Sequence, residues 1–236
     1  MTSAELSGIA KRWLPHIIAS IVLGVLLVWD RETYAAIEGF RSPFLTWLTD
    51  WVSDLRGAAF PAVVGLVLIG IGLIGRKSRF RRAGAAVTLT VLLSGTITMV
   101  MKEIIARPGP EVDDAVKSSV SWLDARFGRF PSGHAAVTFA AASVLAAFVP
   151  AAAVPGFLVA VLVCHERIYR GTHFPSDIFA GIWIGVVVAR FMIAQLARRG
   201  WLDDPVPERP YPRPLEAAAY AWAEDKRKGG DGEDDA

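Results

Sequence analysis

Residues 156–189 read "GFLVAVLVCHERIYRGTHFPSDIFAGIWIGVVVA". An apolar run leads in and another leads out. Between them, Glu166 to Asp177 gathers two arginines, a glutamate, a histidine and an aspartate. Such a charged turn between two apolar segments is the unit from which a helical membrane bundle is built, because a bilayer core about 30 Å thick asks for about twenty apolar residues per helix. The same alternation recurs along the chain. Six apolar segments stand out: Leu14–Trp29, Ala58–Gly75, Ala83–Ala106, Ser132–Val149, Val154–Tyr169 and Pro175–Ala197. The expected fold is therefore all-α, an integral membrane bundle of six transmembrane helices. Several segments carry Gly, Ser and Thr, which let membrane helices pack closely.

Composition agrees with this reading. Of the 236 residues, 53% are hydrophobic, and they fall in long runs rather than in amphipathic patterns. The net charge of +2 is too small to suggest a nucleic-acid partner, and none is expected. The single cysteine, Cys164, leaves no intrachain disulfide and reads as a small core residue. The first apolar run follows Lys11 and Arg12 and has no small-residue cleavage site, so it reads as an uncleaved anchor.

Lys and Arg clusters set the expected orientation. Lys11–Arg12, "RKSRFRR" (residues 76–82) and Arg198–Arg199 all fall on one side of a six-span layout. That side is read as cytoplasmic, with both termini inside a plasma or inner membrane. The loops at 30–57, 107–131 and 166–174 then face the periplasm or exterior. The first of them holds "RSPFLTWLTDWVSD", an aromatic-rich stretch suited to the membrane interface. Residues 1–200 form the expected six-span domain. Residues 201–236 form a cytoplasmic Pro-rich and charged tail, expected to be partly disordered.

The chemistry-bearing residues fall at the outer ends of the segments. His134 lies in "FPSGH" and His173 in "THFPSD". Asp177 follows His173 by four residues, one helical turn, so the carboxylate can hold one ring nitrogen and leave the other free to attack. Arg167 precedes His173 by six residues, and Lys102 closes the third segment on the same side. Cations beside a histidine pair suit a tetrahedral anion such as phosphate. Ser132 and Gly133 open a helix whose first N–H groups favour anions as well.

The whole resembles the type-2 phosphatidic acid phosphatase superfamily. The second part of its signature is intact as "PSGH", Pro131–His134. The third keeps the Arg-x5-His-x3-Asp spacing from Arg167 through His173 to Asp177. The resemblance covers roughly residues 14–197. It implies a metal-independent phosphatase with no cofactor, acting on a lipid phosphate or diphosphate such as phosphatidate, phosphatidylglycerol phosphate or polyprenyl diphosphate. His173 would be the nucleophile, Asp177 its orienting group and His134 the acid. Lys102, Arg167, Ser132 and Gly133 would hold phosphate oxygens. A lipid phosphotransferase on the same site, or a degraded lipid-binding homologue, are the alternatives. Nothing in the sequence speaks to oligomeric state.

Two positions depart from the pattern. The first part of the signature asks for an arginine seven residues after the lysine, where this chain has Gly109. A serine expected before Arg167 is Glu166. The missing charge is expected from Arg107, Arg129 or Arg170, with Arg107 assigned to phosphate binding. Glu166 is expected to repel phosphate unless it pairs with Arg167, Arg170 or Arg107.

Overall fold

The computed structural model describes residues 3–54, 59–112 and 127–202. All regular structure in them is helical: α1 (Ser3–Val28), α2 (Asp30–Glu38), α3 (Pro43–Asp54), α4 (Ala59–Ile74), α5 (Ser78–Ile105), α6 (Gly133–Phe148), a short 3-10 turn (Pro150–Ala152), α7 (Ala153–Tyr169) and α8 (Pro175–Arg198). The tail from Asp203 onward lies outside the described residues, so its expected disorder does too.

Each of the six predicted apolar segments forms a helix, α1 and α4 to α8. By length and composition, however, three are able to cross a membrane: Ser78–Ile105, Pro150–Tyr169 and Pro175–Arg198. A fourth arises if Trp13–Val28 and Asp30–Glu38, bent by 70°, are taken as one broken span. Helices α4 and α6 have 16 residues each. At 1.5 Å per residue they reach about 24 Å, short of a full hydrocarbon core. The chain is thus an apolar helical bundle of a membrane protein, and the six-span count is not reached by length.

Helix α5 lies at the centre, packing on α4, α6 and α8, while α7 packs on α6 and α3, and α1 lies on α8. The core between α5, α6 and α8 is built from Ala83, Ala86, Val87, Val91, Val137, Val144, Phe148, Ala189 and Leu196. Trp201 and Leu202, just past α8, pack against this core. Outward faces carry Leu66, Val67, Leu89, Leu92, Leu158 and Phe191, as lipid contact requires. Helix α3 turns Phe44, Trp47 and Trp51 outward and buries Thr49 and Val52, which fits the interfacial reading of this stretch.

One contact positions the site. A Cβ at Gly181 would stand 2.3 Å from the Ser132 carbonyl oxygen, and one at Gly185 would stand 2.3 Å from that of Ala136. These two glycines, one turn apart on α8, let its backbone lie directly against the first turns of α6. The N-termini of α6 and α8 are thereby brought together, beside the C-terminal ends of α5 and α7. Replacing Gly185 by Ala should force the two helices apart, at a cost of about 1–3 kcal/mol. Gly24, whose Cβ position has nothing within 4 Å, is the control. In thermal unfolding of detergent-purified protein, Gly185→Ala should lower the midpoint and Gly24→Ala should not.

Candidate active site

The site begins with how two chain segments end. Helix α5 stops at Ala106, which takes a left-handed conformation (φ 46°) and returns its N–H to the Lys102 carbonyl at 2.9 Å. Pro108 disfavours helical geometry at Arg107, so the chain leaves the α5 axis there. Lys102 therefore stays on the last turn of the helix while Arg107 swings across the bundle. Helix α8 starts at Pro175, and Asp177 caps it: Oδ2 accepts the Phe174 N–H at 2.8 Å.

Asp177 is fully buried and serves three partners. Besides the cap, its Oδ1 accepts from Arg107 Nη1 at 2.6 Å. Its Oδ2 lies 3.5 Å from Nδ1 of His173. At that separation Nδ1 makes no hydrogen bond. The approach nevertheless aims Nδ1 at the carboxylate and turns Nε2 away from it. His173 is itself buried, at 3% exposure. Burial pushes its pKa below the ordinary imidazole value; Asp177 pulls the other way, and the nearby Lys102 and Arg129 add to the lowering.

The α6 N-terminus faces this pair. Ser132 donates its N–H to the Asp177 carbonyl at 2.9 Å and caps α6 by accepting from Ala135 N. The first amides of α6, at Gly133 and His134, have no partner inside the helix and point toward its open end. Lys102, Arg129, Arg167 and His173 all lie within electrostatic reach of His134. Thus Lys102, Ser132, Gly133, His134, Arg167, His173 and Asp177, spread over 76 positions of sequence, meet at one end of the bundle.

Arg107 has a different place from the one expected. Its guanidinium is occupied by Asp177, by Ser176 Oγ at 2.6 Å and by Asp30 Oδ2 at 2.7 Å, and it lies over the Phe174 ring at 4.9 Å. It braces Asp177 instead of standing open to an anion. The sequence reading missed Asp30 altogether. This residue sits at the bend between α1 and α2, is 3% exposed, and accepts from Arg107, from the Ser176 hydroxyl and from the Ser176 N–H at 2.9 Å. The available signal was an acid closing an apolar run on the side where the histidines lie.

Glu166 resolves as a paired group. It is 1% exposed and is held by Arg167 Nε and by Arg170 Nε, the latter at 2.9 Å. Arg170 also reaches Asp50 at 2.8 Å. Arg167 uses its Nε on Glu166 and lines a small cavity with His134. His165 packs on Tyr169, with ring centroids 5.6 Å apart, and takes no part in the site. Cys164 is buried in the core beside Ala135 and Ile178.

A small cavity lined by His134, Arg167 and Glu166 adjoins a larger apolar one of about 240 Å³ between α4, α5, α6 and α7. The two share Phe60, Thr138 and Val159. The polar cavity and the apolar one therefore lie on either side of the same three residues.

The Asp30 network generates a prediction. Asp30→Ala leaves the buried Ser176 amide and hydroxyl without their acceptor and Arg107 with one carboxylate fewer, a loss of about 3 kcal/mol for breaking a buried pair. Thermal unfolding in detergent should show the lower midpoint, and Asp30→Asn, which keeps an acceptor, should lose less.

Comparison with known proteins places this geometry. The PAP2 superfamily model matches residues 83–201, which run from α5 past the end of α8 and include Lys102, the 131–134 turn, Arg167, His173 and Asp177. Two curated relatives carry the name lipid A 1-phosphatase. That of Rhizobium etli is 30% identical over 141 residues, 55% of this chain and 60% of that protein. That of Rhizobium johnstonii is 30% identical over 130 residues, 50% of this chain and 53% of that protein. The chain thus spans a little over half the length of these curated relatives. The crystal structure of Aquifex aeolicus LpxE overlays with a TM-score of 0.52 at 26% identity, covering 69% of this chain and 93% of that one. The PAP2-type phosphatidylglycerolphosphate phosphatase of Bacillus subtilis overlays with a TM-score of 0.58 at 21% identity, covering 80% and 96%, a likeness of fold. With half of its length matched by the family model and the paired histidines inside that match, the chain belongs to the PAP2 superfamily.

Proposed function

We propose that this protein is a membrane-integral phosphatase that removes phosphate from a lipid phosphate or diphosphate through a phosphohistidine. The observation that carries the reading is the buried His173–Asp177 pair facing the α6 N-terminus and His134. Nε2 of His173 attacks phosphorus and forms the P–N bond. The P–O bond to the lipid breaks, and His134 gives its proton to the departing oxygen. Water, deprotonated by His134, then attacks phosphorus, the P–N bond breaks and phosphate leaves. Asp177 stabilises the imidazolium side of His173 during both steps. Its 3.5 Å approach tightens as charge develops on the ring.

Lys102, Arg167 and the Ser132–Gly133 turn hold the phosphoryl oxygens, and fixed charge of this kind supplies the largest share of such a rate enhancement. Arg107 acts through Asp177 as a positioning residue. The apolar cavity that shares Phe60, Thr138 and Val159 with the His134–Arg167 cavity is where a hydrocarbon chain would lie. The relatives' name adds lipid A phosphate to phosphatidate, phosphatidylglycerol phosphate and polyprenyl diphosphate as substrates to try. With the basic clusters on the cytoplasmic side, both termini lie inside and the site faces the periplasm or exterior of the plasma or inner membrane.

The test is phosphate release from that panel by purified protein in detergent. His173→Ala should abolish release while the protein still inserts and unfolds at its normal temperature; retained activity sinks the mechanism. Labelled lipid should yield free phosphate, since transfer to a second acceptor would yield none.

The pH profile is a separate test. Because burial holds His173 below the ordinary imidazole value near 6.5, its neutral form persists into mildly acid solution. The acid limb of kcat/KM should therefore fall below pH 6.5. Asp177→Asn removes the group that raises this pKa, so the limb should move further toward acid while the rate drops by a factor of about 100 or more. A limb at or above pH 6.5 in the wild type would count against His173 as the titrating nucleophile.

A further inference from the structure

Three arginines stand near the site besides Arg167, and their partners separate them. Arg107 is bound by Asp30, Asp177 and Ser176. Arg170 is bound by Glu166 and Asp50. Arg129 differs. Its Nη2 pairs with Glu111, but its Nε is buried and has no hydrogen-bond partner among the described residues. A buried guanidinium N–H without an acceptor costs free energy unless something arrives to accept it.

The position of Arg129 says what arrives. Its backbone N–H bonds the Arg107 carbonyl at 3.1 Å, which joins the segment before α6 to the segment after α5. Its side chain then crosses directly over Gly109. A Cβ at Gly109 would stand 2.9 Å from Arg129 Cγ and 3.3 Å from its Nε. The same point is 3.2 Å from the carbonyl of Thr172, the residue before His173. Arg129 thus passes between the α5 end and the His173 turn. Its charge acts on His173, His134 and Lys102 alike.

We infer that Arg129 is a phosphoryl-gripping residue of this site, and that Gly109 is the space through which its side chain reaches. The inference rests on the reading of His173 as nucleophile and deepens it. Lys102 supplies a point charge and Arg167 has spent its Nε on Glu166. Arg129 adds a planar donor whose buried Nε has no partner among the described residues, and a small shift of the side chain brings it to an oxyanion. Glu111 holds the far end of the guanidinium and fixes its direction. Residue 109 cannot carry a side chain while Arg129 lies there, so the glycine and the arginine are one device.

The experiment uses the full chain in detergent and two readouts, phosphate release and binding of orthovanadate measured by its protection against thermal unfolding. Arg129→Ala should lower kcat/KM about 100-fold and weaken vanadate protection by a factor of about 10 or more, with the unliganded midpoint little changed. Arg129→Lys keeps the charge but loses the planar fork, and should fall between Ala and wild type in both readouts. Gly109→Ala should reproduce part of the Arg129→Ala loss, yet add less than about threefold when combined with it, because both remove the same contact. If Arg129→Ala keeps kcat/KM within about threefold and binds vanadate as wild type does, the inference is overturned, whatever His173→Ala shows. Should Arg129→Ala fail to fold, Arg129→Lys decides, and wild-type vanadate affinity there overturns it as well. If His173→Ala still releases phosphate, the nucleophile reading falls, and the vanadate arm then judges Arg129 as an anion contact by itself.

Discussion

The site depends on one buried carboxylate. Asp177 caps the N-terminus of α8, accepts from Arg107 and stands behind His173. An ionised group with no exposed surface is tolerable only when its oxygens are all engaged. Here the cap takes Oδ2 and the guanidinium takes Oδ1, with the His173 ring 3.5 Å from Oδ2. Satisfying the helix end and aiming the histidine are therefore the same interaction. A second acid, Asp30, repeats the arrangement one layer out, holding Arg107 and Ser176 so that Arg107 can hold Asp177.

Charge balance explains the crowding of arginines. Glu166 beside a phosphate site would oppose its ligand if it were free, but Arg167 and Arg170 both close on it. Arg107 is likewise balanced by Asp30 and Asp177. On the proposed reading, Lys102, Arg167, the α6 amides and Arg129 remain to meet an anion. Each paired arginine serves as scaffold in a region where an unpaired charge would be costly to bury. Close helix packing makes this possible, since the Gly181 and Gly185 approach sets the α6 and α8 N-termini at contact distance.

Much of this was legible in the chain as written. The six apolar segments all form helices, and His173 comes within 3.5 Å of Asp177, from a bend before α8 rather than across a helical turn. The α6 cap at Ser132 is also where the residues suggest. What failed had a physical cause. Span counting assumes that apolar runs become straight helices of membrane length, whereas α4 and α6 stop at 16 residues and α1 breaks at Trp29. Arg107 was expected to supply the missing charge, whereas the left-handed Ala106 and Pro108 carry it to Asp30 and Asp177.

By itself the sequence determined the periodic and the local: apolar helices, the α6 cap at Ser132, and the short spacing that leaves His173 near Asp177. These follow from residue type and short spacing, which act through neighbouring turns. Only the tertiary structure decided which acid meets which arginine. Asp30 and Arg107 are 77 positions apart, and Arg107 and Asp177 are 70 apart, so no local pattern connects them. That pairing is set where helix ends converge, because buried charges must find partners wherever packing brings them.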